Sequence, residues 1–111
     1  MDRQMAITSK FTTTIVARME NDLAFAKAML NEAATAFLND EPEVARLILR
    51  DLVNATVGFE QLAALTNKPS KSLHRMLSPK GNPGMDSLAA IFGAIRTFLH
   101  VGIKAQTVKV S

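Results

Sequence analysis

The stretch QLAALTNKPSKSLHRMLSPKGNP, Gln61 to Pro83, decides how the rest of the chain is understood. Leu73, Met76 and Leu77 stand at i, i+3 and i+4, the spacing that puts three apolar side chains on one face of a helix. That face docks, which leaves Lys71, Ser72, His74 and Arg75 turned away from it. Lys71 and Arg75 are four apart, a like-charge arrangement that costs a helix about 0.2–0.5 kcal/mol, so stability alone would not select it. From Asn67 to Gly84 there is no acidic residue. A segment of about nine residues is too short to be helical by itself, and its helicity has to come from docking.

Immediately upstream, Phe59–Leu65 is predicted as a second short helix, followed by the connector Thr66-Asn67-Lys68-Pro69. Two short helices joined by three or four residues, with the small Ala63 at their closest approach, describe a helix-turn-helix. Asn67 suits the left-handed backbone conformation such a turn needs. In a major groove, Lys71 and Arg75 would offer donors to guanine O6 and N7, Ser70 and Ser72 would reach phosphates or base edges, and His74 would be an exposed polar residue or phosphate contact. The plainer alternative is a solvated basic face on an ordinary core helix.

Charge along the whole chain is divided in the same sense. Residues 1–57 hold six Lys/Arg against eight Asp/Glu, a net −2; residues 58–111 hold seven against two, a net +5. A basic half facing a polyanion accounts for this better than scatter does.

Helix punctuation organises the remainder. Phe11, Ile15, Val16 and Met19 fit a first helix capped by Thr8 or Ser9, although the β-branched run Thr12–Val16 favours a strand. After Asn21-Asp22, a stripe of Leu23, Ala26, Met29 or Leu30, Ala33 and Phe37 marks a second helix ending near Asn39. Asp40-Glu41-Pro42 opens a third, with Pro42 at the first turn and acids where the helix dipole favours them. Its apolar residues Val44, Leu47, Ile48, Leu49, Leu52 and Val53 suggest passage through the core, and Gly58 closes it. Beyond the loop Pro79–Gly84, Leu88, Ile91, Phe92, Ile95, Phe98 and Leu99 form the last helix, roughly Met85–His100. The tail Ile103–Val110 alternates imperfectly and suggests a short strand, which would need a partner such as a second subunit.

These readings add up to an all-α fold of five or six helices with a short C-terminal strand or extended tail. The chain forms one domain: a helical half 1–57, a helix-turn-helix region 58–103 and a tail 104–111. With 111 residues, 48% of them apolar, it is long and apolar enough to build a core. It has no cysteine, which excludes disulfides and thiolate metal sites and fits a cytoplasmic location. No apolar leader or membrane-length run is read in it. His74 and His100 are 26 residues apart without other ligands nearby, so no metal and no cofactor are expected. The absence of G-x-S-x-G, H-E-x-x-H and phosphate-cradling motifs argues against an enzyme. With no Tyr or Trp, and each of six Phe in an apolar helical pattern, single-stranded RNA binding is disfavoured.

The stretch QLAALTNKPSKSLHRMLSPKGNPGMDSLAAIFGAI resembles the lambda-repressor-like (Xre or Cro-like) helix-turn-helix, whose pattern runs L-A-x-x-x-G-x-S-x-x-x-L-x-x-x-L, then G-N-P and an apolar helix. Within that group it is similar to addiction-module antidote proteins of the HigA type, through Leu77-Ser78-Pro79-Lys80-Gly81-Asn82-Pro83. The match covers about residues 57–103 and extends less specifically back to Leu23. Asn67 stands at the pattern's glycine, Pro69 at its serine, and Lys68 at an apolar turn position. The resemblance implies a homodimer that binds double-stranded DNA, represses its own operon and neutralises a cognate toxin protein. It assigns Ser70, Lys71, Ser72 and Arg75 to the recognition helix, Gln61 to a phosphate contact, and Lys80 and Asn82 to the DNA backbone. A competing expectation keeps the helix-turn-helix only as a scaffold for binding a partner protein.

Overall fold

The computed structural model describes residues 14–111. Six helices are found there: α1 (14–21), α2 (Leu23–Leu38), α3 (Pro42–Ala55), α4 (Phe59–Thr66), α5 (Ser70–Met76) and α6 (Met85–Leu99). The fold is all-α, with no strand among the described residues.

Burial overrides local propensity in α1. Ile15 and Val16 pack against the core and Met19 is fully buried, which offsets the modest cost of β-branched residues in a helix. The expected caps Thr8 and Ser9, and Phe11, lie outside the described residues. Asp22 leaves the helical conformation and caps α2, its Oδ1 accepting from the Phe25 N–H at 3.1 Å. Arg18 lies over the Phe25 ring, 4.0 Å from its centroid, and this contact also holds the α1–α2 junction.

Among the described residues α2 and α3 form the most extensive helix pair, with Ala26, Ala33, Ala36 and Ala45 buried and small enough for close approach. Their connection is tight because Asp40 takes a left-handed conformation (φ 65°) and the Glu41 N–H reaches back to the Ala36 carbonyl at 2.8 Å. Helix α4 then packs on α5 and α6. One continuous core runs through all six helices and includes Met19, Leu30, Leu49, Leu62, Leu73 and Ile91.

Three expectations from periodicity are corrected. Leu23 and Phe37 share the azimuth of Leu30 but stand at the two ends of α2, where neighbouring helices no longer cover them; Phe37 is 42% exposed. Val44 and Leu47 lie on the side of α3 away from Leu49 and are exposed, so α3 crosses the core with one face only. Phe98 on α6 is likewise exposed, so the phenylalanines are not uniformly core residues.

After α6, His100 takes a left-handed conformation (φ 57°) and the Val101 N–H bonds to the Arg96 carbonyl, turning the chain sharply. Val101 and Ile103 pack on the core, and the segment continues alongside α2 without forming a strand. The reason is that a strand needs a ladder, and no second extended segment lies beside it among the described residues.

Candidate nucleic-acid interface

The α4–turn–α5 unit spans Phe59 to Met76 and closes as its sequence suggests. Asn67 has φ 54° and ψ 42°, in the left-handed region, and the Lys68 N–H reaches the Ala63 carbonyl at 3.2 Å. That six-to-one bond satisfies a carbonyl at the end of α4. Thr66 assists, its hydroxyl donating to the Leu62 carbonyl at 2.7 Å. Pro69 sits just outside α5 in an extended conformation (φ −62°, ψ 138°) and provides no side-chain cap. Its fixed φ fits this position without strain, so what is lost is the cap alone.

Helix α5 is held from below and at its far end. Leu73 and Leu77 are fully buried, and Met76 packs against the same core. Arg46, on α3, donates from Nε to the Ser78 carbonyl at 3.1 Å and from Nη2 to the Pro79 carbonyl at 2.9 Å. The Ser78 hydroxyl turns back to the Arg75 carbonyl at 2.7 Å, and the Gly81 N–H donates to the Ser78 carbonyl at 2.9 Å. Gly81 lies so close over the end of α5 that a Cβ there would overlap the carbonyl oxygens of Arg75 and Met76. The loop carrying Lys80 and Asn82 is therefore fastened to α5 and to α3 at once.

The candidate residues divide by exposure. Gln61, Lys71, Arg75, Lys80 and Asn82 are exposed; Ser70 and Ser72 are half-buried. Lys71 and Arg75 lie one turn apart on α5, about 6 Å along the axis, and among the described residues neither has an acidic partner. His74 is tied down: its ring stacks on that of Phe59 with centroids 3.8 Å apart and planes at 17°. One ring face is thus occupied, and only the remainder of the side chain is available to a ligand. The stack also joins the start of α4 to the middle of α5 and adds to the rigidity of the pair.

No family model matches this chain, and no curated protein or solved structure is significantly similar to it. The chemistry of the site is accordingly argued from its own residues. Lys71 and Arg75 together carry eight N–H donors and no acceptor, and the surrounding segment adds Lys68 and Lys80 without one acid. A donor-only surface of this kind suits anions, and the planar fork of Arg75 matches the geometry of a carboxylate or phosphate oxygen pair or of the paired acceptors of guanine.

Two residues that matter to this geometry were not legible as such in the sequence. Arg46 is separated from Ser78 and Pro79 by more than thirty residues, and the only hint was a cation among the apolar residues of α3. Phe59 fitted the core pattern, which said nothing of its stack with His74. Among the described residues no helix is long and apolar enough to cross a membrane.

Proposed function

We propose that the protein is a sequence-specific double-stranded DNA-binding transcriptional regulator that acts as a homodimer, and that it is the antidote of a toxin–antitoxin module repressing its own operon. The observation that carries the DNA-binding part is the outward edge of α5: Lys71 and Arg75, one turn apart, unpaired by acids, on a short helix fastened at both ends. Two such helices would enter successive major grooves about 34 Å apart. In each, Arg75 and Lys71 read base edges, Ser70 and Ser72 assist, and Gln61, Lys80 and Asn82 meet the phosphates. The antidote role rests on the resemblance of the loop Leu77–Pro83 to HigA-type proteins.

A gel-shift series on the DNA upstream of the protein's own gene tests the first part. Lys71→Ala and Arg75→Ala should each weaken binding by about 1–3 kcal/mol, or roughly 5- to 150-fold. Affinity should also fall about 10³- to 10⁵-fold between 50 and 200 mM salt, as for a dimer neutralising six to ten phosphates. Equal affinity of the wild type and the double variant would end the DNA reading. Growth rescue on co-expression with a toxic neighbouring reading frame tests the antidote role separately.

The alternative, a partner-binding module without specific DNA binding, draws on a different observation. Phe37, Leu38, Val44 and Leu47 are exposed apolar residues around the α2–α3 corner, the kind of surface a partner protein covers. An antidote uses both surfaces, so the readings separate only if DNA binding is absent.

A further inference from the structure

Phe59 is buried, and His74 lies over it with ring centroids 3.8 Å apart, yet the histidine itself is exposed. One face of the imidazole is therefore closed and its plane is fixed, while the rest of the side chain stays open to solvent. Among the described residues neither ring nitrogen has a hydrogen-bond partner. At 3.6 residues per turn, His74 falls about 60° round α5 from Lys71, with Leu77 about 60° further on in the same sense. His74 thus stands on the flank of the helix, between the docking face and the outward edge. A helix lying in a major groove turns its middle to the base edges and its flanks to the groove walls, which are phosphates.

We propose that His74, held in plane by Phe59, is a proton-dependent phosphate contact, so that DNA binding tightens as pH falls. This rests on the DNA-binding reading above and adds a regulation to the same site. A neutral imidazole offers one N–H donor, whereas the protonated ring has two donors and a positive charge. In the free protein that charge would sit one turn from Lys71 and next to Arg75, a like-charge setting. A phosphate alongside supplies the opposite charge and favours the protonated ring. By linkage, the protonated ring favours DNA by the same factor. Phe59 suits both states, since an aromatic face packs against a neutral ring and attracts a cation, so protonation leaves the side chain in place. The helix that α5 packs on, α4, has a single charged residue, Glu60, exposed and next to Phe59 in the chain. Arg46 of α3 is already bonded to the carbonyls of Ser78 and Pro79. Neither makes an ion pair or hydrogen bond with His74, which leaves its proton to be governed by what docks on this flank.

The chain has two histidines, His74 and His100, and histidine is the side chain whose ordinary charge change falls between about pH 5 and 8. The test is a gel-shift series with the full-length protein on the DNA upstream of its own gene, at about pH 8 and about pH 5.5. An exposed contact of this kind is worth up to about fivefold for each subunit, so the dimer should bind roughly 25-fold more tightly at the lower pH. Each added phosphate contact also steepens the fall of log K with log salt by about 0.9, or about 1.8 for the dimer. H74Q should lose both changes and H100Q should keep both. F59L keeps the histidine but not the ring beneath it, and should retain no more than about fivefold of the dimer's gain, because an unheld ring has to be ordered on binding. Asp51, whose carboxyl is raised by burial, is present in every variant and cancels from the comparison. Where F59L costs the core too much to fold, H74Q still decides, since its position is exposed. An equal pH gain in wild type and H74Q, a gain lost in H100Q, or a salt slope identical at the two pH values would each overturn the proposal. The full gain in F59L would overturn the positioning role of Phe59. If the double variant K71A/R75A binds as tightly as wild type, the DNA reading fails and takes this contact with it. If the double variant is weakened but affinity does not change with pH through His74, the proton-dependent contact fails alone.

Discussion

Replacing Arg46 by alanine should loosen α5 and the loop after it from a distance. The side chain makes two charge-assisted hydrogen bonds, to the Ser78 carbonyl at 3.1 Å in a part-buried setting and to the Pro79 carbonyl at 2.9 Å in an exposed one. A hydrogen bond to a charged group contributes about 1.5–3 kcal/mol when sheltered. Taking the low end for the first bond and about 0.5 kcal/mol for the second, exposed one gives a loss of about 2 kcal/mol. Arg46→Lys keeps the charge but not the fork, so it should retain one bond and lose about 1 kcal/mol. With a urea slope of about 1–2 kcal/mol/M for a domain of this size, R46A should lower the unfolding midpoint by about 1–2 M and R46K by about half as much. Hydrogen exchange adds a local readout: the Gly81 amide, which donates to the Ser78 carbonyl, should lose protection in R46A more than amides in α2 do. Under the proposed function, the same variant weakens DNA binding because Lys80 and Asn82 are no longer held in place. An unchanged midpoint together with unchanged exchange at Gly81 would refute the reasoning, since it would mean that the loop keeps its place without Arg46.

Gly81→Ala should be worse than a surface substitution of its size, because the added Cβ meets the backbone oxygens of Arg75 and Met76 and neither can step aside; a loss of about 2–3 kcal/mol in urea unfolding is expected, and a loss below about 0.5 kcal/mol contradicts the packing. Asn67→Gly should stabilise by about 0.5 kcal/mol, since the turn holds a left-handed φ of 54° that glycine adopts freely; a fall in the melting temperature would show that the asparagine side chain contributes more than its backbone costs. Asp51 is 8% exposed and its Oδ1 has no partner; burial pushes its carboxyl above the ordinary value of 3.8, and neighbouring Arg50 opposes the shift. A raised folded-state pKa means that the acid is least costly when protonated, so its penalty appears as pH rises through and above the ordinary range. Asp51→Asn should therefore match wild-type stability below about pH 4 and exceed it by about 1 kcal/mol at pH 7; a constant difference across that range would exclude titration of Asp51 as the cause.

The fold was legible where a residue's role is set by its immediate neighbours in the chain. Asn67 could be assigned a left-handed turn because the demand is local, and Asp22 could be placed as punctuation because a short polar side chain competes for the N–H groups three residues on. Pro42 and the helix starts near Leu23, Phe59, Ser70 and Met85 follow from the same local chemistry. The six-to-one turn at His100 was not foreseen, since positive φ is uncommon in any residue other than glycine and the demand for it here comes from where the chain must turn after α6.

Periodicity fails for a different reason: it gives the azimuth of a side chain but not how far along the helix a neighbour extends. Leu23 and Phe37 have the right azimuth and remain exposed, while Val44 and Leu47 belong to a second apolar face of α3 that no helix covers. The candidate site shows the same division. That Lys71 and Arg75 leave the docking face follows from the positions of Leu73, Met76 and Leu77, and the structure has both exposed with Leu73 and Leu77 buried. Which way His74 turns depends on where Phe59 lies, fifteen residues earlier on another helix, and helical spacing within α5 carries no information about it. The extended segment is the limiting case. Its alternation shifts phase between Ile103 and Val108, yet Ile103, Val108 and Val110 all line the groove beside α2, with Ile103 packed on the core as well, so a period of two does not mark a single face of this segment.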